Sequence, residues 1–160
     1  MLRSLEQERA KYAWECIQSV KGASNPELES KYKSYVRSSA SYIQINGLGN
    51  TIAFYKSKFE ADFNKYVNEL KKKSLNESKV YEEAFKKLSN DKKAYKLLYD
   101  HLNGWFKKHF GKSKDIIKWI ISENTSSIEV FQVTKEITAL LNWMKRFAEA
   151  ELKDKEGEIE

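Results

Sequence analysis

At 160 residues, with 41% hydrophobic and 32% charged residues, the chain has the composition of one globular domain large enough for a real core. One proline and six glycines are too few for an all-β chain, and a single cysteine excludes both an intrachain disulfide and a cysteine metal cluster. The net charge of +6 is uneven: residues 149–160 carry −4 and the remainder +10, an excess that suits a polyanionic partner.

The opening stretch, MLRSLEQERAKYAWE, has acidic residues where a signal peptide needs an apolar core. No apolar run approaches the roughly 20 residues of a membrane span, so a soluble, cytoplasmic protein is expected. Ser4 and Gln7 form a capping-box pattern that starts a first helix, with Gly22 placed to end it. Ala10, Ala13, Trp14, Ile17 and Val20 are expected on its buried face, with Cys16 a near-core, unreactive thiol. Asn25 and Pro26 open a second helix that reaches Asn46. Lys31, Lys33 and Arg37 recur on its less apolar side, the pattern of a solvated face.

Asn46-Gly47 is a helix-stop signal inside the most apolar part of the N-terminal half. Ile45, Leu48, Ile52, Tyr55 and Phe59 step across it at helical spacing, which reads as one buried face. A tight corner there would set the angle between two core helices and aim Lys56 and Lys58 outward. The third helix continues through Leu70 into three consecutive lysines, and residues 74–78 read as a loop. Short and long helices follow around Tyr81, Ala84 and Phe85, then around Leu98, Leu102, Trp105 and Phe106, stopping near Gly111. A short apolar helix carries Ile116, Ile117, Ile120 and Ile121. Ser126 and Glu129 cap the last helix, whose face runs from Val130 through Ile137, Leu141 and Met144 to Ala148, widened by Phe131, Trp143 and Phe147. The expectation is an all-α, single compact bundle of about six to seven helices over residues 1–152, with an acidic, disordered tail over 153–160.

No catalytic constellation appears. His101 and His109 are two helical turns apart rather than the one turn typical of a zinc pair, and structural roles are expected for both. Gly47-Leu48-Gly49 lacks the third glycine and the strand of a dinucleotide site. Carboxylates alternate with lysines at helix-pairing spacings. No enzyme activity, cofactor or metal is therefore expected. What remains is charge: Lys31/Lys33/Arg37, Lys56/Lys58, 71–73, Lys107/Lys108 with Lys112/Lys114, and Lys145/Arg146. The cluster beside Trp105, Phe106 and Phe110 mixes aromatic and basic residues as single-strand binders do, although helix aromatics at this spacing more often form core. Lysines on helical faces give phosphate- and shape-directed contacts that are sensitive to salt and tolerant of sequence.

Three stretches also carry a family pattern: LEQERAKYAWECIQSV, KYKSYVRSSASYIQINGLGNTIAFYKSK and TKEITALLNWMKRFAEAEL. In this order the chain resembles the small helical subunit of Cmr-type, or type III-B, CRISPR RNA-guided effector complexes. Gly49 stands where that family commonly has a larger residue, and Ser41 where a proline is often found. The resemblance implies a non-catalytic subunit in antiviral defence. It implies stacking with copies of itself as a filament beside backbone and large subunits, and contact with guide RNA and target RNA through a basic surface. Carried onto this sequence, the RNA-facing candidates are Lys31, Arg37, Lys56, Lys58, Lys145 and Arg146. From charge alone, the alternative is a stand-alone helical domain binding nucleic acid non-specifically.

Overall fold

The computed structural model describes residues 1–73 and 75–155. Among them are seven helices and no strand: α1 (Leu5–Gly22), α2 (Pro26–Asn46), α3 (Leu48–Lys71), α4 (Glu77–Lys87), α5 (Asn90–Phe110), α6 (Ile116–Ile120) and α7 (Ser127–Glu151). The expected all-α bundle is what forms. Side-chain caps decide where five of these helices begin. Ser4, Asn25, Asn76, Ser89 and Ser126 each accept from the backbone N–H three residues on, satisfying an amide that has no partner within its helix. Both expected capping boxes, Ser4 with Gln7 and Ser126 with Glu129, are complete. The fourth helix starts earlier than its apolar pattern indicated, because Asn76 caps it within the stretch read as loop.

α6 gains its cap from a tertiary neighbour. Its Asp115 makes no side-chain cap, and the Ile116 N–H donates instead to Asn103 Oδ1 of α5 at 2.8 Å. Asn103 is buried, and its own amide donates to the Tyr99 carbonyl. A single asparagine thus ties a five-residue helix to the core.

α2 and α3 meet at Gly47, which closes one helix and opens the next with φ of 84°. An L side chain there is strained, so glycine is the residue that allows the corner. The corner also corrects the expected continuous face. Leu48, Ile52, Tyr55 and Phe59 are buried, but Ile45 is 79% exposed. The positive φ resets the helical phase, so Ile45 belongs to a different helix with a different inward side. Gly49, in the first turn of α3, lies under Ile120 of α6; a Cβ there would sit 3.2 Å from Ile120 Cδ1. The small residue is matched to the close approach of α6.

α1 runs parallel to α7, as two well-separated ion pairs establish: Arg9 with Glu136 and Lys21 with Glu151. α2 packs on α5 and α7, α3 on α5, and α6 on α3. Trp105, Tyr32, Tyr55 and Phe106 are the largest side chains fully enclosed. α4 stands apart, sharing with α3 a small second core of Val67, Leu70, Val80 and Ala84. Several residues expected inside lie at the surface. Trp14 and Tyr81 are about two-fifths exposed, the Trp14 ring edge-on to Phe147, while Phe131 and Ile121 are exposed outright. Trp14 and Tyr81 are covered on one side only, by Phe147 of α7 and Phe63 of α3.

Candidate nucleic-acid interface

Three helices carry the basic residues singled out by the sequence. On α2, Lys31, Lys33 and Arg37 line a groove of about 870 Å³ whose other wall is the C-terminal segment, residues 153–155. Lys33 departs from the expected solvated face, being only 3% exposed. An ammonium that is buried needs partners, and the end of the chain supplies them. Lys33 Nζ lies 2.8 Å from Asp154 Oδ1 and donates to the Leu152 carbonyl at 3.3 Å. Arg37 remains exposed, with Nη2 3.7 Å from the same Asp154 oxygen and Nε 3.6 Å from Glu149. Leu152 is buried and turns the backbone onto α2, where the Lys153 N–H donates to Glu29 Oε1. Lys153 and Asp154 therefore have defined contacts, and residues 156–160 of the expected disordered tail lie outside the described residues.

Lys56 and Lys58 project from α3 with different surroundings. Lys56 is half-buried and pairs with Glu60 one turn on, at 3.4 Å. Lys58 is exposed, with Nζ 4.9 Å from the centre of the Phe54 ring and 5.9 Å from that of Tyr95. Tyr95 stacks on Tyr35 at 4.0 Å, and Tyr35 lines the α2 groove. A chain of rings thus connects Lys58 with Lys31 and Arg37. The Tyr35 hydroxyl donates to Asp91, and burial together with that bond raises its pKa, so the phenol stays neutral.

Lys145 and Arg146 are exposed on α7 and enter no ion pair among the described residues. They stand one turn before Glu149, the residue that meets Arg37. The end of α7 therefore brings them towards the α2 groove. Of the six candidate cations, Lys31 and Arg37 line the groove, while Lys33, which lines it too, was not among the candidates. Its four-residue spacing from Arg37, set against acids beyond Leu152, was the available signal.

The motif Thr134-Lys135-Glu136 has a structural use. Glu136, 8% exposed, accepts from Arg9 Nε at 2.8 Å, Arg9 Nη2 at 2.6 Å and the Trp105 indole N–H at 3.0 Å. Burial by itself favours the protonated acid, but the bonds from Arg9 and Trp105 outweigh it and hold the Glu136 pKa below the usual range. Trp105 and Phe106 are enclosed in the core and are not a stacking platform for bases. His109 lies flat on Trp105, with 2° between the rings. His101 Nδ1 is 2.6 Å from the Tyr32 hydroxyl, and burial pushes its pKa down to about 4. Burial likewise pushes the Cys16 thiol up to about 12, which keeps it from being a nucleophile. Among the described residues, no group of three or more His, Cys, Asp or Glu is placed to hold a metal, and no helix is long and apolar enough to cross a membrane.

Residues 5–151 match the family model described as CRISPR-associated protein (Cas_Cmr5). The matched span begins at the first residue of α1 and ends at the last residue of α7, so it takes in the corner at Gly47, the Glu136 anchor and the basic turn at Lys145. The chain belongs to this family of CRISPR-associated proteins, the Cmr5 subunits of type III-B complexes.

Proposed function

We propose that the chain is a non-catalytic small subunit of the cytoplasmic type III-B effector complex, stacking with copies of itself and holding guide and target RNA by phosphate charge in antiviral defence. One observation carries the RNA reading. Lys145 and Arg146 are exposed near the end of α7, without ion pairs among the described residues, one turn before the Glu149 that meets Arg37 on α2. Such cations meet phosphates at little desolvation cost and carry no base preference. Lys31, Lys56 and Lys58 extend the same basic character over α2 and α3. The core polar groups are committed to the fold: Glu136 to Arg9 and Trp105, His101 to Tyr32, and Asn103 to α6. That commitment favours a binding role over a chemical one. Contact between copies, and with the backbone and large subunits, draws support from Ile121, Ile128 and Phe131, large apolar side chains exposed around the start of α7.

The test is a double reversal, Lys145→Glu with Arg146→Glu, in the assembled complex. Target-RNA capture is expected to fall while the isolated chain keeps its helical signal. Unchanged capture at low and moderate salt would remove these two residues from the interface. Tight RNA binding by the purified chain alone, equal to that of the complex, would favour a stand-alone binding domain instead.

A further inference from the structure

The α2 groove already holds an anion. Lys33 Nζ and Arg37 Nη2 converge on one oxygen, Asp154 Oδ1, at 2.8 and 3.7 Å. Glu149 also pairs with Arg37, at 3.6 Å from its Nε. Lys33 is almost wholly enclosed while Asp154 and the Leu152 carbonyl cover it, and release of that segment would open its ammonium to the groove, where a second anion can take the place of the carboxylate. A non-bridging phosphate oxygen is such an anion, with the same charge and the same acceptor chemistry as Asp154 Oδ1. Lys31 and Lys155 line the same groove and would face the neighbouring phosphates.

We propose that the groove between α2 and the C-terminal segment is a phosphate-binding surface whose resident competitor is the chain's own Asp154. In the free protein the carboxylate occupies the Lys33–Arg37 site and lowers affinity for RNA. A phosphodiester backbone displaces it, so engagement of RNA on α2 is coupled to release of residues 153–155. This inference rests on the RNA reading given above and adds a gate to it. Three features of the segment suit a displaceable occupant. It follows α7 without belonging to a helix, its contact with Arg37 is long at 3.7 Å, and the Lys153 N–H bond to Glu29 is long at 3.4 Å.

The experiment measures binding of a fluorescent single-stranded RNA of mixed sequence to the full chain at low salt, by anisotropy. The unmodified chain is compared with Asp154→Asn and with a chain ending at Leu152. Glu123→Gln, an exposed site distant in sequence from the groove, controls for net charge. A competitor in place nine-tenths of the time lowers apparent affinity about tenfold, so both released chains should bind about tenfold more tightly. Lys33→Met added to Asp154→Asn should abolish that gain. Far-UV circular dichroism establishes that each variant is folded, and the truncation stands in if Asp154→Asn is not. Equal affinity for the unmodified and released chains overturns the competitor and leaves the RNA reading intact. A gain of the same size from Glu123→Gln overturns it too, since net charge alone then explains the effect. Absence of RNA binding by every chain, alone and in the assembled complex, overturns both.

Discussion

Arg9 and Glu136 show how much one buried pair governs here. The Arg9 side chain is only 16% exposed and Glu136 half as much, so each charge leans mainly on the other rather than on water. Replacing Glu136 by Gln leaves the guanidinium without its counter-charge, and the expected loss is about 3 kcal/mol of folding stability. Urea unfolding measures it as a lower midpoint at unchanged slope. Arg9→Met combined with Glu136→Gln should recover part of the loss, because the unpaired charge is then gone while the introduced amide carbonyl still accepts from the Trp105 indole N–H. His101 makes a separate, pH-dependent contribution. Its folded-state pKa of about 4 lies below the ordinary 6.5, so the unfolded chain takes up the proton first as pH falls. Stability should be unaffected above pH 6.5 and lower by about 2 kcal/mol at about pH 5. His101→Gln should flatten that part of the curve. Glu136 acts in a lower window: its depressed pKa gives stability that is complete above its usual 4.5 and is lost as pH falls further.

Among the elements, α4 is the one held least. It packs mainly on α3, around the small cluster of Val67, Leu70, Val80 and Ala84 flanked by Phe63 and Tyr66, whereas α5 touches α2, α3 and α7. A cleft of about 870 Å³ runs between α4 and the Lys93–Lys96–Leu97 side of α5. Local opening follows local contact, so amide hydrogens of α4 should exchange well before those of α5 in native-state hydrogen exchange. Equal protection of the two helices would show that α4 opens only with the whole domain. The two helix junctions differ in kind. At Gly47 the turn is written in the residue itself, since only glycine takes that φ without strain. At α6 the start is set by Asn103, thirteen residues earlier and on another helix.

For the whole molecule, the distribution of charge matters more than its total. The basic groove on α2 is partly neutralised from within by Glu149 and Asp154, while Lys145 and Arg146 enter no ion pair among the described residues. Each cation on a phosphate adds about one to the steepness of the salt dependence, so the double reversal at these residues should reduce the log–log salt slope of RNA capture by about 2. A uniform loss of affinity at unchanged slope would mean that the reversal disturbed assembly rather than a phosphate contact.

Helix positions, capping boxes, the corner at Gly47 and the buried face of α7 were all legible in the amino-acid sequence. They depend on interactions within a few residues, where spacing and residue type are enough. The order of its motifs, from LEQERAKYAWECIQSV to TKEITALLNWMKRFAEAEL, likewise identified the family, which residues 5–151 match. Partnerships between distant segments were not legible. The sequence presents Lys33 as one more lysine on a polar helix face, and Glu136 as one more acid among lysines. Only the packing of α7 on α1 and α2 puts Glu136 beside Arg9 and returns Asp154 to Lys33, across 127 and 121 residues of chain. Burial then gives those charges their weight, because removal from water makes each one depend on a partner that local sequence does not contain.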